Sequence, residues 1–120
     1  MQRTEGIQFM YDIIILGGGP AGLSAAISAR VRNKTVAVVS NACRDNPLYR
    51  SGHVPNYPAL PDVSGAELLE RMHAQATGLG AEWIEKRLIS AMYTGKSWML
   101  SAEETVLESR ALILAGGIIR

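Results

Sequence analysis

Three glycines, Gly17, Gly19 and Gly22, follow directly on the apolar run Tyr11-Asp12-Ile13-Ile14-Ile15-Leu16. Their spacing is G-x-G-x-x-G, and the chain then runs through the alanine-rich stretch Leu23-Ser24-Ala25-Ala26. A β-branched strand, a glycine turn and a helix in that order can cradle a pyrophosphate. Gly17 permits the tight turn, Gly19 lets the backbone approach phosphate oxygens, and Gly22 lets the helix lie close to the sheet. The helix start supplies unpaired N–H groups and the positive end of its dipole. With 12 glycines in 120 residues the spacing alone occurs by chance. The flanking strand and helix carry the reading.

A dinucleotide's adenosine ribose calls for a carboxylate about 20 residues past the glycines, at the end of the second strand. Ser40 and Asn41 stand there, and Asp45 comes several residues later. The Asn41 amide can both accept and donate. Arg44 beside a neutral site suits the 2′-phosphate of NADP, although a solvated loop cation is the commoner role for one arginine. Cys43 is the only thiol and has no resolving partner. Its one candidate base is His53, so an incidental small residue is the better reading. His73 is expected on the solvent side of the second helix, and no Cys or His spacing suits zinc. Glu67, Glu70, Glu103, Glu104 and Glu108 read as surface carboxylates, Trp83 and Trp98 as packing residues. No catalytic residue and no metal ligand is assigned.

The elements that must position these groups follow from periodicity. Tyr11–Leu16 and Thr35–Ser40 read as strands buried on both faces, with a helix over about Ala21–Arg32 between them: a βαβ unit with a right-handed crossover. Leu23, Ile27 and Val31 supply bulk on that helix, and Asn33 stops it. Asn41–Val63 carries four prolines and reads as an ordered, functional excursion. Ser64-Gly65-Ala66-Glu67 is a capping box with Glu67 reaching back. The helix it opens presents Leu68, Leu69, Met72, Ala76 and Leu79 on one stripe and ends at Gly78 and Gly80. Ala81–Ile84 is a strand. Arg87–Tyr93, Ser97–Ser101 and Thr105–Ser109 form an antiparallel meander, and Ala111–Ala115 a last strand ending in Gly116-Gly117.

Bulk properties narrow the function. Hydrophobic content of 48% and charged content of 19% are globular, and 120 residues fit one domain. A net charge of +1 offers no basic field for nucleic acid or an anionic membrane. A single cysteine fits a reducing, cytoplasmic setting. No transmembrane run is present, and residues 1–10 read as a polar leader without a signal core.

At Gly17-Gly18-Gly19-Pro20-Ala21-Gly22, and again at Asn56-Tyr57-Pro58-Ala59-Leu60-Pro61 followed by Ser64-Gly65-Ala66-Glu67-Leu68-Leu69, the chain resembles bacterial thioredoxin reductase and, more broadly, the two-dinucleotide flavoprotein disulfide oxidoreductases. The resemblance implies an α/β fold over residues 11–120, a Rossmann-like βαβ FAD-binding domain whose parallel sheet carries an antiparallel β-meander. It places Gly17, Gly18, Gly19, Pro20, Ala21 and Gly22 at the FAD pyrophosphate, and Ser40 and Asn41 at the adenosine ribose. It further places Asn56 beside the flavin, Leu88 at a backbone contact to the adenine, and Ala115 and Gly116 in the turn facing the dinucleotide. The family's ribose acid, its Gly-Gly-Gln loop and the threonine at Gly116 are all replaced here.

The family's NADPH domain, with its Cys-x-x-Cys pair, has no counterpart in the 120 residues. The expectation is therefore a truncated first segment that binds FAD and does no chemistry alone. In a whole enzyme the flavin would carry electrons from NAD(P)H or another donor to a disulfide of a thioredoxin-like or small substrate. Self-association through exposed edges is expected of the segment. A stand-alone NADP-binding module and a non-catalytic association domain are the alternatives.

Overall fold

The computed structural model describes residues 9–117. The reading of the first residues as a leader falls mostly outside them. Met10, however, is already part of a strand, and the Phe9 ring meets Tyr11 edge-on at 4.8 Å.

β1 (Met10–Leu16), β2 (Val36–Val39) and β3 (Glu82–Ile84) are parallel, and β6 (Thr105–Leu114) lies parallel to β1 on its other side. β4 (Leu88–Tyr93) and β5 (Trp98–Ala102) extend the sheet antiparallel, giving the order β3-β2-β1-β6-β5-β4. The meander and the last strand expected separately are joined: Thr105–Leu114 is one strand pairing β5 with its first half and β1 with its second. Ser109-Arg110 contains no glycine or proline to break it. Beyond Ser109 the far edge of β6 has no strand neighbour among the described residues, and Leu114 on it is 76% exposed.

Helices α1 (Pro20–Val31) and α2 (Gly65–Gly78) both cover one face of the parallel strands. Ile15, Val36 and Val38 meet Leu23, Ala26, Leu68, Leu69, Met72 and Ala76 there. Each fully buried leucine contributes about 2 kcal/mol by leaving water. The opposite face buries Tyr11, Ile14, Ala37 and Val39 beneath Leu100, Ala102 and Leu107 of the meander. This is why β1 and β2 are apolar on both sides. Two stripe residues differ from expectation: Val31 is 64% and Leu79 40% exposed, because each sits where its helix runs past the edge of the core. Arg30 ties those helix ends together, donating to the Leu79 and Lys34 carbonyls at 2.8 Å each.

Ser64 caps α2 as expected, its Oγ accepting from the Glu67 N–H at 3.1 Å. Glu67 does not reach back; its carboxylate pairs with Arg71 at 2.7 Å, one turn along the same helix. The long connection is ordered, as the prolines imply. It makes two 3₁₀ turns (Cys43–Asp45 and Pro47–Arg50) and closes on itself at Val54–Val63 and Tyr57–Leu60.

Asp12, unusual inside a parallel strand, locks β1 to the start of β2. Its carboxylate accepts from the Thr35 N–H at 2.8 Å and from the Thr35 hydroxyl at 3.1 Å. The Thr35 backbone bond is the main cause holding this carboxyl below its usual range, with burial opposing it. A depressed carboxyl stabilises the fold above its unfolded pKa of about 4 and loses that contribution as acid protonates it. Asp12→Asn is therefore expected to destabilise the protein at pH 7 and less at pH 3. Denaturant midpoints of both proteins at the two pH values check this; an equal gap at both would sink the assignment.

Candidate functional site

Parallel strands put their carboxyl ends on one side of a sheet, and the loops leaving them make the site. Here the ends of β1, β2, β3 and β6 converge on a cleft of 820 Å³. Its floor is Gly17-Gly18-Gly19, the loop between β1 and α1. Backbone bonds on both sides fix that loop: the Gly17 N–H donates to Val39 O at 3.0 Å, and the Ala115 N–H donates to Leu16 O at 2.8 Å. Gly17 has φ +115°, a left-handed conformation glycine adopts freely, and its α-carbon lies against the Ala115 carbonyl.

The start of α1 is open. Gly19 is its N-cap, with no side chain bonding the first N–H groups, Pro20 begins the helix, and the first turn has no acid. Orphan donors and a positive dipole end thus face the cleft with nothing of the protein's own to satisfy them. α2 is the contrast, since Ser64 caps it and Glu67 lies in its first turn. The cleft lining holds no carboxylate and two cations, Lys86 and Arg87. Lys86 is neutralised by Glu104 at 2.6 Å and also bonds Thr105 Oγ1 at 2.6 Å. Arg87 is exposed, and no ion pair holds its guanidinium among the described residues.

Of the residues expected in the site, Gly17, Gly18, Gly19, Pro20, Ala21, Ser40, Asn41, Leu88, Ala115 and Gly116 line this cleft. Gly22 is buried beneath it and acts by packing. Ser40 is engaged already: its Oγ accepts from the Gly18 N–H at 3.0 Å, holding the loop. Asn41 is exposed at the rim. Arg44 and Asn56 are exposed and outside the lining.

Cys43 lines the cleft, but burial first, then Glu85 and Glu70, push its thiol pKa up, opposite to what a nucleophile needs. His53 pairs instead with Asp62 at 2.9 Å. His73 is not a solvent-facing residue; it is half-buried with its ring 4.6 Å from that of Trp83, nearly perpendicular. Trp83 packs as expected, its indole lying against Gly18 and its Nε1 donating to Glu85 at 3.0 Å. No group of His, Cys, Asp or Glu among the described residues could hold a metal ion.

Asn46, Lys86 and Arg87 are lining residues that the sequence reading did not reach. For Lys86 and Arg87 the signal existed, because they follow β3 directly and a ligand lies off the carboxyl ends of such strands. For Asn46 only the folded loop brings it to Gly19.

The architecture defines the class: a Rossmann-like α/β domain with its cleft at the topological switch point, where such folds take dinucleotides. Residues 11–118 match the family model "Pyridine nucleotide-disulphide oxidoreductase", and the chain belongs to that family. The thioredoxin reductase of Peptoclostridium acidaminophilum is 33% identical over 110 residues, 90% of this chain and 35% of the relative. That of Aquifex aeolicus is 43% identical over 92 residues, 75% of this chain and 27% of the relative. Among solved structures, a thioredoxin reductase from Gloeobacter violaceus superposes with TM-score 0.87 at 27% identity, over 93% of this chain and 36% of that one. A ferredoxin-flavin thioredoxin reductase from Clostridium acetobutylicum gives 0.85 at 35% identity, over 93% and 39%. The chain spans about a third of the length of the curated relatives it matches. No helix among the described residues is long and apolar enough to cross a membrane.

Proposed function

We propose that the chain binds FAD in the cleft at the carboxyl ends of its parallel strands, as the FAD-holding part of a thioredoxin-reductase-like oxidoreductase. The observation that carries this is the uncapped start of α1 behind a glycine loop, in a cleft whose lining has no carboxylate to repel phosphate. The residues fit the cofactor. Gly19 leaves open backbone for the pyrophosphate, Asn41 stands at the rim for ribose hydroxyls, and Leu88 lines the cleft where its backbone would meet the adenine. Bound flavin would supply the electron relay between a donor and a disulfide. The chain's own residues bind and orient it. One cysteine with a raised pKa cannot make the intramolecular dithiol that disulfide exchange uses. The donor need not be a nicotinamide, since one similar structure is named a ferredoxin-flavin enzyme. The edge of β6 beyond Ser109, which has no strand neighbour among the described residues, and exposed Leu114 favour association with further protein.

A second reading, an NADP-binding module, is favoured by Arg87 on the rim, whose guanidinium has no ion pair among the described residues. Titration of the purified protein with FAD and with NADPH, followed by flavin fluorescence and calorimetry, separates the two. FAD is expected to bind in preference. Arg44→Ala should leave FAD binding unchanged, and Arg87→Ala should cost it less than about 1 kcal/mol, as exposed cations do. Tight NADPH binding that FAD cannot displace and that Arg87→Ala eliminates would replace the FAD reading.

A further inference from the structure

We propose that Asn46 is a phosphate-binding residue whose side-chain amide donates to the pyrophosphate of a dinucleotide lying on Gly19. The inference rests on the dinucleotide reading of the glycine loop. Asn46 lies 27 residues beyond Gly19 in the chain, yet its Nδ2 comes within 2.7 Å of where a β-carbon on Gly19 would sit. That is the space the motif keeps open for the phosphates.

The orientation of the amide follows from its other end. Asn46 Oδ1 accepts from the Leu48 N–H at 2.9 Å, capping the 3₁₀ turn Pro47–Arg50. An N–H can donate only to the oxygen, so the NH₂ group must face Gly19 and the cleft. Its support is rigid. The Asn46 N–H donates to Cys43 O at 3.0 Å, and the Gly65 N–H donates to Ser51 O at 2.8 Å, docking the turn on α2. A methyl on Gly65 would strike the Leu48 carbonyl, so the turn lies flush against the helix. Asn46 therefore presents an oriented donor, with no acceptor among the described residues, beside the open N-terminus of α1. Two N–H sources converging on one anion from different elements make a site more selective than a helix end alone.

The test compares Asn46→Ala with Asn46→Asp and Asn46→Ser. Aspartate caps the turn as well as asparagine does, but places an anion where the donor was. A purely structural role leaves the neutral capping variant Asn46→Ser at wild-type affinity, whereas the donor role weakens binding in every variant and most in Asn46→Asp, whose charge also repels the phosphates. Binding of FAD and of ADP is measured by fluorescence and calorimetry, with thermal midpoints and circular dichroism as controls on folding. Hydrogen bonds to charged groups predict about a tenfold loss for Asn46→Ala and about a hundredfold loss for Asn46→Asp. Asn46→Ser, which can cap without extending an amide to Gly19, replaces either variant that fails to fold and should resemble Asn46→Ala. Wild-type affinity in Asn46→Ser or Asn46→Asp, or tighter binding by Asn46→Ala because the side chain merely fills the phosphate space, overturns the proposal alone. Failure of the wild type to bind either FAD or ADP overturns it together with the dinucleotide reading.

Discussion

Gly19→Val is expected to abolish FAD binding, with an affinity loss of about 100-fold or more, while the fold survives. The backbone at Gly19 has φ −83° and ψ −166°, extended values open to any residue. Nothing rigid is close. The nearest atom to a new β-carbon is the tip of the Asn46 side chain at 2.7 Å, which can turn away by giving up its bond to the Leu48 N–H. The branched side chain would then stand on the α1 N-terminus, separating phosphate oxygens from the N–H groups. Losing two charge-assisted hydrogen bonds of about 1.5–3 kcal/mol each accounts for the size of the effect. FAD should raise the thermal midpoint of the wild type and not of the variant, because a ligand stabilises only the state that binds it. A variant that keeps both its affinity and its ligand-induced stabilisation would remove the glycine loop from the site.

Gly22→Ala, three residues on, should do the reverse and damage the fold. A β-carbon there would overlap the carbonyl of Gly17 and press on Ile15 Cγ2 at 3.3 Å. The Gly17 carbonyl cannot retreat. Its residue has φ +115°, its N–H is bonded to Val39, and its α-carbon lies against the Ala115 carbonyl. The helix must move off the sheet instead, separating Leu23 and Ala26 from Ile15 and Val38 in the largest core cluster. Overpacking against fixed backbone costs about 3 kcal/mol, a large share of a domain's 5–15 kcal/mol. A fall in the thermal midpoint of about 10 °C is expected without any ligand present. A shift of less than about 2 °C would show that the contact yields and that Gly22 is not the packing glycine. Two glycines of one motif thus separate by readout, one through ligand affinity and the other through stability.

The glycine spacing, the Pro-rich excursion and the Ser64 cap were all legible from local chemistry, because each depends on residues adjacent in sequence. So were the parallel core strands. An apolar run such as Val36-Ala37-Val38-Val39 has no polar face, and only burial on both sides satisfies it. The same locality explains the errors. Periodicity placed Val31 and Leu79 on apolar stripes, but whether a helix end stays over the core depends on where the sheet beneath it stops. The capping box named Glu67 as the returning partner, yet Arg71, one turn ahead, offered a charge and won it.

By itself, then, the sequence determined the kind of fold and the glycine loop that lines the cleft, since a strand, a glycine turn and a helix are contiguous and their spacing carries the geometry. Only the tertiary structure decided which other groups share that cleft. Asn46 reaches Gly19, Ser40 turns inward to hold Gly18, Lys86 is neutralised by Glu104, and Arg87 remains open at the rim while Arg44 stays outside. Each of these depends on how far the excursion folds back and on which strands end together. Those distances are set by packing between elements many residues apart, and no local pattern records them.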